Sequence, residues 1–500
     1  MEDIWVNLSV PLPENNEYPL MLTPLITSGR FEEARNASEV PMLKLLANVT
    51  AYSGFITVNS TCNSSLFFLF IRSKKNDTGD PLMLWTMGGP GLSALFVELL
   101  ANGPLAFDTK AEKYLSVRNN TLVNLANIIY LDLPVGAGYS FTHRNDCYST
   151  SLENINDHVM EFLRQFLLLF PEYICRDFYL AGESYAARYS VSIANRMLNT
   201  SDNKQLILKG VIGGNGFLGS ILDLADSSDF MYQLSMVDKK GRNEFHKKFQ
   251  QMKNDSHNPS LTLKIVQELS QTLFINDMSP TLYQNVTLYH DYLSPLLTER
   301  SPSLLGSFLL LYNNSEVRNA LHIGPNVTFE YNNTDLLRGL ATDYLRNISP
   351  MVSNVLNKTN VLLYTGQLDP LFPSVKQRDY LSKLQWKEAD AADKLDCAKG
   401  SDGGIAEKRL LLTLGDVQPF VNLPAPPRQS CGEGTKKLQS LLAGPRKFFT
   451  TRLVEYGWTA RKRTRHHQDV GAGVHFEDKR VPVDVPFNVE SVLSHHRDGV

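Results

Sequence analysis

An α/β fold, with a mostly parallel central sheet and a helical cap inserted late in the chain, is what this 500-residue sequence predicts. Three observations carry the prediction. Short apolar runs bounded by turn residues recur along the chain, amphipathic helical patterns lie between them, and over residues 152–198 helix, strand and helix follow one another directly. Alternating strand and helix imply β-α-β crossovers, hence a parallel sheet whose ligands bind beyond the carboxyl ends of its strands. With 43% apolar residues, a chain of this length can bury a large core.

The runs at 66–71, 82–87, 127–133, 177–181, 208–212 and 361–364 are each short enough for a buried strand. The clearest helix has apolar residues at Leu152, Ile155, Val159, Phe162, Phe166 and Leu169, in steps of three and four, and Pro171 closes it. After the 177–181 strand, a second helical face reads Ala187, Val191, Ala194 and Leu198. Residues from about 220 to 320 are mostly helical in pattern and interrupt the strands, which places them as a cap over the site. From about Lys387 the texture changes: segments 389–404 and 424–434 are small and polar, and residues 461–465 form a basic cluster read as a solvated loop. Strand signals nearly stop there. The stretch 390–470 is therefore expected to be an irregular tail, or the product of a shifted reading frame, within a single domain spanning 18–500.

A formal charge of −3 provides no chain-wide basic surface, so neither nucleic acid nor an anionic membrane is an expected partner. A peptide or small molecule is. No run of about eighteen apolar residues suits a transmembrane helix. The five cysteines, Cys62, Cys147, Cys175, Cys397 and Cys431, show no CxxC or Cys/His metal spacing, and their odd number leaves at least one unpaired. A disulfide scaffold is not indicated. N-x-S/T sequons run from Asn7 to Asn357 and none follows, a distribution that predicts N-linked glycans and folding in the secretory pathway. Residues 1–10 lack the basic start and apolar core of a signal peptide, so the natural N-terminus is expected upstream.

The turn Gly182-Glu183-Ser184-Tyr185-Ala186 lies between a predicted strand and a predicted helix, the setting of a nucleophile elbow. Small flanking residues tolerate the strained turn that lifts the serine hydroxyl out of the sheet. That hydroxyl becomes nucleophilic only when an imidazole accepts its proton, and the imidazole must be oriented by a carboxylate. Asp369 follows the 361–364 strand directly, where the acid of an α/β-hydrolase belongs. For the base, the chain beyond offers His466, His467, His475, His495 and His496. His475 has the suggestive setting, after the turn Gly471-Ala472-Gly473-Val474 and before a Pro-bounded segment, and it completes the order Ser, Asp, His. Gly88-Gly89-Pro90-Gly91 follows the 82–87 strand and lets backbone N–H groups approach a developing oxyanion. The triad carries the whole reaction, so no metal or organic cofactor is implied.

These motifs, with Pro19-Leu20-Met21-Leu22-Thr23-Pro24, Leu84-Trp85-Thr86-Met87, Leu131-Asp132-Leu133-Pro134-Val135-Gly136-Ala137-Gly138-Tyr139-Ser140 and Tyr364-Thr365-Gly366-Gln367-Leu368-Asp369, resemble the serine carboxypeptidase family and its vitellogenic-like members over about residues 18–389. The resemblance implies an α/β-hydrolase that removes the C-terminal residue of a peptide through an acyl-enzyme, in a secreted, lysosomal or vacuolar setting. It implies Ser184 and Asp369 in the triad, the N–H groups of Gly89 and Tyr185 as oxyanion donors, and Glu183 with Trp85 on the substrate's terminal carboxylate. A carboxyl group donates to a carboxylate only while protonated, so activity is expected at acid pH.

Departures from the family weaken that recognition. Met87 stands where the family has Asn or Gln and cannot donate a hydrogen bond. Ala101 stands where a second, supporting glutamate is usual, with Glu98 as the acid that can replace it. Hydrogen bonds to charged groups are worth about 1.5 to 3 kcal/mol, so each loss costs roughly tenfold to a hundredfold in carboxypeptidase efficiency. Residues 476–480 split the family's His-x-Val-Pro pattern at His475. Two other readings stay open: an esterase or acyltransferase with the same triad, and a catalytically silent glycosylated binding or storage protein.

Overall fold

The computed structural model describes residues 18–387, apart from 76–78, 108–114, 201–204, 275–278, 290–291 and 293–301, together with the backbone of 409–414. In chain order the strands are β1 (Ala51–Asn59), β2 (Ser64–Ile71), β3 (Leu82–Thr86), β4 (Leu105–Phe107), β5 (Leu115–Val117), β6 (Asn127–Leu131), β7 (Asp177–Glu183), β8 (Ile207–Gly214), β9 (Asn360–Gly366) and β10 (Arg409–Leu414). Eight of them form one sheet in the order β1-β2-β6-β3-β7-β8-β9-β10, while β4 and β5 pair separately. The β1-β2 and β2-β6 pairs are antiparallel, and every pair from β6 to β10 is parallel. An α/β-hydrolase architecture results.

All six predicted strands form, and β2 and β3 are buried at every residue, as continuous apolar runs between two helical layers require. β1 was not anticipated, because Ser53 and Gly54 interrupt its apolar pattern. Gly54 is needed there: a Cβ on it would stand 3.0 Å from Leu22 Cδ1, and residues 20–22 use that space to bond along the strand's outer edge. Leu22 N donates to Phe55 O and Phe55 N to Leu20 O, both at 2.9 Å, so the edge is covered rather than open. β10 lies in the stretch expected to lack strands, and its backbone pairs in parallel with β9 from Arg409↔Val361 to Leu414↔Gly366.

The predicted helix runs from Leu152 to Leu169, with Ser151 accepting the Asn154 N–H as its N-cap, and buries all six expected apolar residues. Its Phe162 and Phe166 meet Phe68 and Phe70 of β2 edge-on at 5.5 and 5.1 Å. On the helix Ala186–Asn199, Ala187, Val191 and Ala194 are buried and Leu198 is half-buried. Between β8 and β9 the described elements are helices joined by loops, including Lys239–Asp255 and Thr262–Leu273. Among the described residues no helix is long and apolar enough to cross a membrane.

Among the described residues one disulfide, Cys62–Cys147, joins segments 85 residues apart. Chain spacing could not show it. The partners meet because Phe141 pairs with Ser65 through two backbone hydrogen bonds of 2.9 and 3.0 Å, which bring the segment after β6 beside the β1-β2 turn.

Among the carboxyls buried in this frame outside the site, Asp132 and Glu98 are shifted furthest by burial. Asp132, after β6, accepts the Ser93 hydroxyl (2.6 Å) and Ala94 N (2.8 Å) on Oδ1 and Tyr139 N (2.8 Å) on Oδ2. Gly138, at φ +55°, passes so close that a Cβ would collide with Oδ2. Glu98 accepts the Tyr312 hydroxyl at 3.0 Å. Burial raises both carboxyls to about 7, against these hydrogen bonds and, at Glu98, the Arg118 charge. An unfolded chain releases these protons near pH 4, whereas the folded chain keeps them to about pH 7. Their contribution to stability is therefore full in acid and is lost as pH rises through about 7. Tm should be lower at pH 8 than at pH 5 by on the order of 5 °C, and Glu98→Gln should shrink that gap. Equal melting at the two pH values would show that these carboxyls titrate as in the unfolded chain.

Candidate active site

β7 ends at Glu183, the helix begins at Ala186, and Ser184 turns the chain between them at φ +60°. A non-glycine residue held in the left-handed region stores strain, so the surroundings must impose it. Ser184 N donates to Gly214 O at 2.8 Å, anchoring the turn to β8. A Cβ on Gly182 would lie 2.7 Å from the Ala186 Cβ, and one on Gly216 would lie 2.4 Å from the Ala187 Cβ. Glycine is thus demanded at 182 and 216, whereas Ala186 is already helical and needs no glycine. Ser184 keeps partial exposure at the carboxyl end of the sheet.

The Gly88–Gly91 loop follows β3, whose Thr86 is paired with Gly182 of β7. It presses directly on the elbow: a Cβ on Gly88 would stand 2.7 Å from Tyr185 N and 2.8 Å from Ser184 Cβ. Gly89 and Gly91 take φ of +113° and +105°. Gly89 and Tyr185 therefore lie on backbone segments in contact beside Ser184. The Tyr185 side chain is fully buried, and its hydroxyl donates to Asp343 Oδ2 at 2.6 Å.

At the same end of the sheet, Glu183 of β7, Gly214 of β8 and Tyr364 of β9 lie in register across three strands. Asn215, which the sequence reading missed, ties these ends together. Its N–H donates to Tyr364 O (2.8 Å), its Oδ1 accepts Gly366 N (2.7 Å), and its side chain bonds Glu183. The signal was its place in Gly213-Gly214-Asn215-Gly216, a polar residue among glycines just past a strand end. Burial raises the Glu183 carboxyl to about 7; the Asn215 bond opposes the shift and the nearby Asp369 charge adds to it. Asp369 itself is raised to about 6 by burial, while Leu371 N (2.8 Å) and Phe372 N (3.1 Å) bind its Oδ1. The structure thus brings Ser184, Asp369, Glu183, Gly89 and Tyr185 to one end of the sheet.

Trp85 and Met87 are buried, and Trp85 Nε1 finds no hydrogen-bond partner among the described residues. Glu98 is bound to Tyr312, and the charges that act on it and on Glu183 are different ones. The structure therefore gives Glu98 no visible part in supporting Glu183. His475, and with it His466, His467, His495 and His496, lies outside the described residues. Elsewhere His322 is buried against Ser53 (3.0 Å) and His246 pairs with Asp226 (2.9 Å).

A family model described as serine carboxypeptidase matches residues 41–417. A venom serine carboxypeptidase of Apis mellifera is 34% identical over 382 residues, covering 75% of this chain and 80% of the relative. A vitellogenic carboxypeptidase of Aedes aegypti is 32% identical over 382 residues, covering 74% and 78%. Among solved structures, a prohormone-processing carboxypeptidase from Saccharomyces cerevisiae superposes with a TM-score of 0.58 at 17% identity, over 70% of this chain and 82% of that one, and shares the fold. A strained serine elbow, a glycine loop pressed against it and an acid after β9, two strands along the sheet, agree with what the match over 41–417 establishes: the chain belongs to the serine carboxypeptidase family.

Proposed function

We propose that this protein is an acid-active serine carboxypeptidase in which Ser184 Oγ attacks the last peptide carbonyl and His475 takes its proton. The observation that carries the reading is Ser184 at φ +60° with the Gly88 backbone against Tyr185 N. The carbonyl oxygen becomes an oxyanion facing the N–H groups of Gly89 and Tyr185. Its collapse breaks the C–N bond, the imidazolium returns its proton to the departing amine, and water then cleaves the acyl-enzyme by the same route. Asp369 orients and balances the imidazolium. Glu183, protonated below about pH 7, donates to the substrate's terminal carboxylate beside Trp85. Met87 supplies no donor, so this recognition is weaker than usual for the family. Peptides with a free C-terminus are the substrates.

Exposed sequon residues support N-glycosylation and a secretory route, among them Asn48, Asn119, Asn254, Asn313, Asn326 and Asn332. The Cys62–Cys147 bond fits the same oxidising setting.

The test compares a blocked dipeptide bearing a free carboxylate with the corresponding blocked ester across pH. As pH rises through about 7, Glu183 ionises and repels the substrate carboxylate, so kcat/KM for the acid should fall roughly tenfold or more. The ester, which makes no such contact, should lack that limb. Parallel profiles with comparable cleavage would favour the esterase reading that Met87 motivates.

A further inference from the structure

Residues far away in the chain hold Tyr185 and Gly89 in place. The helix Ala341–Leu345 turns two consecutive side chains toward the elbow. Asp343, only 3% exposed, receives both the Tyr185 hydroxyl (2.6 Å) and Arg188 Nε (2.8 Å) on Oδ2, and its Oδ1 has no partner among the described residues. Tyr344, the next residue, donates its hydroxyl to the carbonyl of Gly89. The Tyr185 and Tyr344 rings sit 5.1 Å apart, and Phe217 stacks on Tyr344 at 6.0 Å. Fully buried Arg188 fixes the helix in turn: its Nη2 donates to the carbonyls of Asp343 and Arg346, both at 2.8 Å, and its Nη1 to Gly219 O at 3.1 Å.

A glycine pair has the freest backbone in the chain, whereas donors aimed at an oxyanion act only if their direction is set before the charge appears. Neither Gly88 nor Gly89 has a side chain to supply that rigidity. We propose that Asp343 and Tyr344 are positioning residues of the oxyanion hole, one holding the segment of the Tyr185 N–H and the other that of the Gly89 N–H, so that a single short helix sets both donors. The inference rests on the hydrolase reading above and adds the element that aligns its transition-state contacts.

A merely structural role for the buried Arg188–Asp343 pair makes a different prediction, and two variants that spare the pair separate the two. Tyr344→Phe and Tyr185→Phe each remove one hydroxyl and leave the ion pair and the donor N–H groups intact. Misaligned donors weaken the transition state and not the ground state, so kcat on a blocked dipeptide should fall about tenfold to a hundredfold in each variant, with KM unchanged. The rate of fluorophosphonate labelling at Ser184 should fall in parallel. Wild-type kcat in both variants, or a loss confined to KM, overturns the inference and leaves the hydrolase reading standing. A wild-type protein without Ser184-dependent turnover overturns both.

Discussion

Ser184→Ala should lower kcat on a blocked dipeptide by on the order of 10⁶-fold and abolish fluorophosphonate labelling, with Tm close to wild type. The effect is this large because, in the proposed mechanism, the serine oxygen forms the covalent bond that the other groups serve. The oxyanion donors and the substrate contacts remain and sustain only a residual rate over water. The substitution is structurally mild. The turn at 184 is held by the backbone bond from Ser184 N to Gly214 O and by close contacts at Gly88, Gly182 and Gly216, none of which needs the hydroxyl. Turnover within tenfold of wild type would remove Ser184 from the chemistry, whatever the family.

Asp369→Asn should cost on the order of 10⁴-fold in kcat, because a neutral amide neither balances the imidazolium nor selects its reactive tautomer. The loop should survive, since an amide oxygen still accepts Leu371 N and Phe372 N where Oδ1 does now. The residual activity provides a second readout. The Asp369 charge helps to hold the Glu183 proton, so its removal lets Glu183 ionise more readily. The alkaline limb for free-carboxylate substrates should move to lower pH. A kcat within tenfold of wild type would exclude Asp369 as the triad acid, and an unmoved limb would show that the two carboxyls do not interact.

Much of the frame was legible in the sequence. Buried parallel strands need continuous apolar runs and the helices between them need a repeating face, so 66–71, 82–87 and the Leu152–Leu169 helix declared themselves. β1 did not, because Gly54 is there for the passage of Leu22 and its contribution is made in space. β10 did not, because the composition around it gave no contrast, and only its pairing with β9 identifies it.

The sequence alone marked Ser184 and the Gly88–Gly91 loop as candidates, since local backbone strain and close approach restrict which residue types can stand at 88, 182 and 184, and it marked Asp369 by its place just after a strand. Their positions were readable because the constraint is local. Tertiary structure alone decided the rest: that Asn215 ties Glu183 to the β9 end, that Glu98 turns to Tyr312 and does not join Glu183, and that Asp343 and Tyr344 brace Tyr185 and Gly89. Each of those contacts joins residues from distant segments or depends on which way a buried side chain turns. No periodicity or motif records them, because the distance that matters is set by strand order and packing and not by position along the chain.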